Sequence, residues 1–572
     1  MAYDYALVHL KYTIPLAVVL TLIQKPLLTR LDLYKTLALV VVAFTATLPW
    51  DSYLIRHGVW TYPPEAIIGP RLFGVPAEEL FFFVIQTYIT SMFYILLNKP
   101  VLHSQYLTNR HDSSPTVRAV RTLGQILLSA SIATGAYLVA KGGEGTYLGL
   151  ILPPIFIPTL YLWVVDELAL GRGTWSIESG TKLNLRLFGS LEIEEAVFFL
   201  VTNALIVFGL VAFDRGMAVI NTFPGLFPEA PGTPSPRLLL KGILTRPEQY
   251  DLQRVRGIRE AVATLKRKSR SFYLASAVFP GRLRIDLILL YSFCRVADDL
   301  VDDSPTRAEA LEWINKMTGY LDLVYPTEKT ISPSDAKVQE YIRSNFPRPT
   351  QSAFELLPTK LMPSKPFYEL LDGFRMDLAF NQNKENGPHM PADYPIKNEA
   401  DLELYAHRVA STVGELCLWL AFHHNETKLS QDKQEILALA ARTMGHALQY
   451  VNIARDIAVD ADMDRVYLPT TWLKEEGVTP RDIVKAPRQA IVETLRERLL
   501  QLAFKEYSRS RSNMNMLPAD VRGPLIVAVE SYMEIGRVLR EKKGAWSPKD
   551  PKRATVPRSR RIMVAWKVLA SQ

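Results

Sequence analysis

Cysteine is nearly missing from this chain: Cys294 and Cys417 are the two among 572 residues. That excludes a disulfide framework, and their spacing fits no metal-binding motif, so a reducing compartment is expected. No Gly-x-Gly-x-x-Gly fingerprint occurs, so neither NADPH nor flavin is indicated. The first apolar stretch lacks a small-residue cleavage site and is followed by more apolar stretches, which argues against a cleavable signal peptide. Alternating polar and apolar runs are scarce after about residue 250, so an all-α domain is expected there. The net charge of +8 comes with no recognition motif, which leaves out nucleic acid. The basic excess lies at the end, where residues 537–572 carry 11 basic and 2 acidic side chains.

Long apolar runs are plentiful in the first 215 residues. They recur at about 5–23, 33–50, 80–97, 120–140, 147–165 and 196–213, each near the length that crosses a hydrocarbon core of ~30 Å. Six such runs with few internal charges favour membrane spans over core helices. The region also repeats itself. Asp51, Trp60 and the Arg71-Leu72-Phe73-Gly74 segment return as Asp166, Trp175 and Arg186-Leu187-Phe188-Gly189. With one inserted residue, Pro76-Ala77-Glu78-Glu79 returns as Glu192-Ile193-Glu194-Glu195. The unit is therefore a duplicated set of three helices, and an odd number of spans per copy would orient the copies oppositely. Lys and Arg favour the loops after the first, third and fifth runs, which places those loops in the cytosol. A cytosolic C-terminal half then requires a seventh span or re-entrant segment near 217–227, unless the charge bias misleads.

Each Glu-Glu pair opens an apolar helix, where ionised carboxylates are costly. A carboxylic acid kept protonated is a general acid. Phe81, Phe82, Phe83, Phe198 and Phe199 follow, and aromatic faces stabilise cations. The combination suits protonating an alkene and guiding the carbocation. Acids at helix N-termini beside an interfacial aromatic belt are the plainer explanation, and a proton-coupled transporter is a third.

Residues 221–249 are rich in Pro and Gly and read as a linker between a membrane domain at 1–220 and a helical domain at 250–572. Seven prolines in 325–366 suggest a long surface excursion between helices. Within 291–303, Asp298 and Asp302 stand at i and i+4, as do Asp299 and Asp303. Like charges at that spacing cost a few tenths of a kcal/mol per pair unless a cation joins them. Asn452, Asp456 and Asp460 repeat the pattern on a second stretch. Two facing acidic helices suit Mg²⁺ and a diphosphate, Mn²⁺ being a possible substitute; a solvated acidic face is the alternative. Arg558, Arg560 and Arg561 beside Ile562, Met563 and Trp566 make a basic, partly amphipathic tail that suits an anionic bilayer, or else a solvated helix end.

These residues carry a resemblance across nearly the whole chain. Ser271-Phe272-Tyr273, the 291–303 and 452–460 stretches, Tyr405-Ala406-His407-Arg408 and Arg465-Val466-Tyr467-Leu468-Pro469 resemble the squalene/phytoene synthase family. The last segment is closer to phytoene synthases. The duplicated Glu-Glu segment is similar to that of membrane lycopene cyclases, although Glu192 stands where the motif has proline. The order of the halves resembles the fungal bifunctional lycopene cyclase/phytoene synthases. The resemblance implies a class I isoprenoid synthase domain after the membrane domain, converting geranylgeranyl diphosphate through prephytoene diphosphate to phytoene. It implies metal ligation by Asp298, Asp299, Asp302, Asn452, Asp456 and Asp460, and catalytic roles for Asp298, Asp302, Asp456 and Asp460. Arg295, Arg455 and Arg465 would meet phosphate oxygens. Phe272, Tyr273 and Tyr405 would shield cations, with Ser271 and Tyr467 also against substrate. Glu78, Glu79, Glu194 and Glu195 would protonate lycopene. The flavin-bearing lycopene cyclases are the wrong comparison. A squalene-synthase-like transferase on a membrane anchor is the rival reading. Desaturation of phytoene to lycopene has no visible site, so a separate desaturase is implied.

Overall fold

A computed structural model describes residues 3–107, 145–326, 335–386, 394–425, 429–541 and 554–572. The chain divides into two units, Met1–Arg256 and Gly257–Gln572. Helices dominate both.

Five helices of the first unit are long and apolar enough to cross a membrane: α1 (Asp4–Leu27), α2 (Arg30–Arg56), α3 (Ala77–Asn98), α4 (Gly145–Leu170) and α5 (Ile193–Thr222). The expected run at 120–140 lies outside the described residues. Thr29 starts α2 with a reciprocal capping box to Asp32. Along α2, Leu33, Leu37, Val41 and Val42 are each more than half exposed, a row that suits lipid contact. α3 is the most enclosed of the five, and Met92 and Tyr94 on it have no exposed surface. Inside α1, residues His9–Thr13 form a π-helical turn, a local widening that often marks functional sites. At the far end of the helices, buried charges are paired. Lys35 bonds Asp214 (3.1 Å) and Asp32 (3.3 Å), and Lys99 bonds Asp32 (2.6 Å).

Among the described residues six short strands follow α2 and α4, and one pair of them joins the copies. After α2 comes β1 (Trp60–Thr61), then the hairpin β2 (Arg71–Leu72) and β3 (Val75–Pro76) leading into α3. After α4 comes β4 (Ser176–Ile177), then β5 (Arg186–Phe188) and β6 (Leu191–Glu192) leading into α5. β1 pairs antiparallel with β4, and Thr61 sits opposite Ser176, its own repeat counterpart 115 residues on. Gln86 on α3 likewise bonds Thr202, its counterpart on α5, at 2.8 Å. Residues meeting their own counterparts mark a pseudo-two-fold axis between β1 and β4 and between α3 and α5.

Residues 236–244, within the stretch read as linker, form helix α6 (Pro236–Leu244). Ser235 caps it and Pro236 fills its first turn, where a missing N–H costs nothing. Gly242 lets α6 cross α5 closely, since a Cβ there would stand 2.7 Å from the Gly216 carbonyl oxygen.

In the second unit, four long helices line a cavity, α7 (Gly281–Asp302), α8 (Lys365–Asn386), α9 (Gln431–Asp462) and α11 (Ala519–Glu541), and α10 (Ala490–Arg511) packs along α9. On α7 the buried Leu290, Phe293, Ala297 and Val301 follow helical spacing, so the stripe facing the core continues to the acidic end. α9 uses small residues, Ala440, Ala447, Ala454 and Ala461, on its buried face. A last helix, α12 (Arg558–Ala570), packs on α11 through Ala565 and Val568.

The 325–366 segment is not the surface excursion that its prolines suggested. Its described part forms helices Asp335–Asn345 and Gln351–Glu355 and buries Ile342, Phe346, Phe354, Leu357 and Met362 against Phe293 and Tyr320. Burial of each such side chain contributes about 1.5–3 kcal/mol, which outweighs the breaks introduced by the prolines.

Candidate active sites

The cavity of the second unit holds about 760 Å³. Asp298, Asp299 and Asp302 approach it from the last turns of α7, and Asn452, Asp456 and Asp460 from α9. Basic groups interleave them. Arg295 bonds Asp298 (2.9 Å) and Asp299, and Lys268 also reaches Asp299 (3.2 Å). Arg455 bonds Asp456 (2.7 Å) and Asn452 (2.5 Å), while the Tyr532 hydroxyl donates to Asn452 (2.7 Å). Arg465, just beyond α9, reaches across to Asp302 on α7 at 2.8 Å and so ties the two acidic stretches together. Burial pushes the Asp298 carboxyl up to about 7, with Asp302 adding repulsion and Arg295 opposing it.

Below this polar mouth the walls are apolar and aromatic. Phe272 stacks on Tyr532 with ring centres 5.3 Å apart, and Tyr405 stacks on Tyr467 at 5.0 Å. Both tyrosine hydroxyls of the second pair donate to Asp377 on α8, at 3.2 and 3.1 Å. Burial pushes Asp377 up to about 7 as well, against the pull of Arg465 and with repulsion from Asp302. Tyr405 stands two residues before a second π-helical turn, His407–Ser411, which is held to α9 by Ser411 donating to the Arg442 carbonyl (2.6 Å).

In the first unit, α1, α3, α4 and α5 enclose a small aromatic cavity of about 30 Å³, roughly room for one water. Glu79 and Glu195 both line it, one from each copy, together with Asp166, Phe82, Phe198 and Phe199. The Tyr62 hydroxyl donates to Glu79 Oε2 at 2.9 Å, and the Tyr5 hydroxyl donates to the same oxygen. The first glutamate of each pair does something else. Glu78 accepts the Ile68 backbone N–H (2.6 Å), and Glu194 accepts that of Leu183 (2.5 Å). His9, in the π-turn, bonds the Glu78 carbonyl at 3.1 Å. Glu192, the departure from proline, forms an ion pair with Lys182 at 2.6 Å.

Two families match the two units. The squalene/phytoene synthase family matches residues 265–560, and the lycopene cyclase family matches residues 5–97, the first copy of the repeat. Over their full lengths, "Bifunctional lycopene cyclase/phytoene synthase" proteins of Colletotrichum graminicola, Podospora anserina and Neurospora crassa are 54, 53 and 51% identical to this chain, with 100% of each chain covered. The chain belongs to the bifunctional lycopene cyclase/phytoene synthases. Its place in carotenoid biosynthesis follows from that membership.

In this bifunctional enzyme the structure gathers most of the residues singled out from sequence. Asp298, Asp299, Asp302, Asn452, Asp456, Asp460, Arg295, Arg455, Arg465, Phe272, Tyr405 and Tyr467 all line one cavity. Ser271 and Tyr273 are not among its lining residues; Tyr273 lies under the Lys266 ammonium instead. Among the described residues no three His, Cys, Asp or Glu side chains are close enough together to grip an ion; Asp298, Asp456 and Asp302 are paired with Arg295, Arg455 and Arg465 instead. The donor set nonetheless fits a hard cation. It is all oxygen, and the crowding of Asp298 by Asp302 is relieved by added positive charge. The synthase family suggests divalent-metal dependence. Asp377 was missed, although it continues the Leu370, Phe374 stripe at helical spacing, where an acid among apolar positions is a signal. Tyr5, Tyr62, Asp51 and Asp166 were not recognised as site residues either.

Proposed function

We propose that the second unit condenses two geranylgeranyl diphosphates head to head and that the first unit closes rings on lycopene. For the synthase, the carrying observation is that two acidic helices and three arginines share one mouth above an apolar cavity. Mg²⁺, or Mn²⁺, held by Asp298, Asp302, Asn452, Asp456 and Asp460, would neutralise diphosphate charge. Arg295, Arg455 and Arg465 then turn from the carboxylates to phosphate oxygens, for which a guanidinium fork is suited. Loss of one diphosphate leaves an allylic cation facing the Phe272 and Tyr405 walls. Attack by the second molecule, with loss of a proton, gives prephytoene diphosphate. A second ionisation, rearrangement and proton loss gives phytoene. Asp299, held between Arg295 and Lys268, positions those cations.

For the cyclase, the carrying observation is that Glu79 and Glu195, one from each repeat, face the same aromatic cavity. One carboxylic acid adds a proton to the terminal double bond of lycopene. The cation is attacked by a neighbouring double bond, and loss of a ring proton gives a β-ionone ring. Protons and electrons balance, so the step needs no redox partner. Phe82, Phe198 and Phe199 present faces to the cation. Glu78 and Glu194 anchor the preceding loops.

The five apolar helices cross the bilayer, the synthase unit faces the cytosol, and α12 rests its exposed Ile562, Met563 and Trp566 on anionic lipid. Phytoene must be desaturated before it returns as lycopene, so a separate desaturase works between the two sites. The test feeds membranes holding the full chain either geranylgeranyl or farnesyl diphosphate, with and without NADPH, and separately lycopene. Phytoene without NADPH and rings from lycopene are expected. Squalene from farnesyl diphosphate, or lycopene returned unchanged, sinks the corresponding half. In Asp298→Ala or Asp456→Ala, phytoene should fall at least ~10³-fold while ring formation continues, because the lost group serves the transition state.

A further inference from the structure

Buried acids in the first unit are almost all answered. Asp32 and Asp214 meet lysines, and Asp4 meets Arg172 at 3.0 Å. Glu167 accepts the backbone N–H groups of Ser190 and Leu191, both at 2.7 Å. Asp51 and Asp166 differ. They are 0% and 1% exposed; among the described residues no donor bonds either oxygen of Asp51, and the Trp175 indole faces Asp166 just short of bonding geometry. They are repeat counterparts, one at the end of α2 and one at the end of α4. Two copies keeping a buried acid without a basic partner at the same place argues against accident, since an isolated buried carboxylate is expensive.

Their surroundings say what answers them. Asp51 faces Glu79, Tyr5 and Tyr62 electrostatically. Asp166 lines the aromatic cavity and faces Glu79, Glu195, Glu167 and the Trp175 indole. No cation is among these groups, and His9 is the other titratable group on the cavity wall. Carboxyls held together without a cation settle by sharing protons.

We propose that Asp51 and Asp166 are positioning residues of the cyclase site, sharing a proton with Glu79 and Glu195 respectively so that each glutamate can give up its proton and regain it. This rests on the cyclase reading above. In ring closure a proton enters at one carbon and leaves from another. The glutamate that has donated becomes a carboxylate, the neighbouring aspartic acid hydrogen-bonds to it, and the proton lost from the ring returns to the pair. Nothing is consumed. The two Asp–Glu pairs also explain why a site for a proton-neutral reaction contains more acids than one protonation needs.

The test uses full-length chain in membranes, with lycopene supplied and ring formation followed against pH. Phytoene output from the same preparation reports the amount of chain, and resistance of the first unit to limited proteolysis in the membrane reports its folding. Asp51→Asn and Asp166→Asn should each lower kcat about tenfold with little change in KM, as general acid–base contributions are ~10²–10⁴-fold in total. Each should also move the alkaline limit of activity to lower pH by about one unit, because the neighbouring carboxylate no longer holds the proton on glutamate. Asp51→Glu and Asp166→Glu should restore the limit. An unmoved alkaline limit in both Asn variants overturns the proposal, whatever the rate. If an Asn variant does not accumulate, a Glu variant whose limit moves as far as one unit overturns it instead. Unimpaired ring formation in Glu79→Gln with Glu195→Gln would defeat the cyclase reading itself, a separate result.

Discussion

Asp456 and Glu79 are both almost fully buried, at 4 and 6% exposed, yet their company differs. Asp456 is gripped by Arg455, and a second arginine, Arg465, ties the facing helix across the mouth. Glu79 has two phenols on one oxygen and faces other acids, and among the described residues no lysine or arginine lines the cavity. Basic partners keep a carboxylate ionised and ready to exchange one cation for another. Aromatic walls and neighbouring acids without a cation suit a carboxyl that carries a proton, while the two phenols that donate to it steady the carboxylate left once the proton is given. The same functional group is thus set for charge binding in one unit and for proton delivery in the other, by neighbours alone.

The sharpest way to break this contrast is within the Glu pairs. Glu79→Gln or Glu195→Gln should reduce ring formation from lycopene at least ~10²-fold, the scale of a lost general acid. Glu78→Gln and Glu194→Gln keep an acceptor for the Ile68 and Leu183 N–H groups and should stay within about tenfold, the cost of a weakened hydrogen bond to charge. Equal losses in all four would show that position at the helix mouth matters rather than direction into the cavity. Carotenoid analysis of membranes given lycopene reads this directly.

A smaller effect concerns the synthase. The Asp298 carboxyl, ordinarily near 3.8, is pushed up to about 7 by burial and by Asp302. Between those values the folded chain binds a proton that the unfolded chain does not. The metal-free fold therefore loses this contribution as pH rises through that window, and below about 7 a cation must displace the proton. The Mg²⁺ concentration for half-maximal phytoene formation should accordingly rise as pH falls below 7, by up to ~tenfold per unit for one displaced proton. A requirement flat from pH 6 to 8 would remove Asp298 from the metal set. Ring formation, served by carboxyls without cations, should show no Mg²⁺ dependence at any pH.

How much was legible follows from what spacing encodes. Asp298/Asp302 and Asn452/Asp456/Asp460 announce themselves because i,i+4 identity survives in one dimension, and both stripes do face one cavity. The duplicated Glu-Glu segments were visible too, but not that Glu79 turns inward while Glu78 caps a loop. Adjacent helix residues point about 100° apart, and sequence does not say which way the core lies. Asp51 and Asp166 were seen as repeat markers without a role, since their meaning depends on a partner, Glu79 or Glu195, nearly thirty residues away. Asp377 was missed because one acid in an amphipathic stripe carries little signal until Tyr405 and Tyr467 are seen to bond it. Prolines in 325–366 misled because they mark breaks, not exposure, and the apolar residues between them decide burial.

Among the described residues each unit also has a π-helical turn beside its site, His9–Thr13 and His407–Ser411, and the second lies against a single glycine. Gly445 on α9 faces the Ser411 backbone so closely that any Cβ would collide with it. Backbone cannot swing aside as a side chain does, so Gly445→Ala must push the turn away from α9. Overpacking of this kind costs about 1–3 kcal/mol. The turn begins two residues after Tyr405, whose hydroxyl holds Asp377, so the displacement should reach the cavity wall. Phytoene formation should fall severalfold, with a lowered melting temperature of the synthase unit, while ring formation by the same chain is unchanged. Loss of both activities together would show that the two units fold as one, and the comparison between their carboxylates would then have to be made within a single cooperative structure.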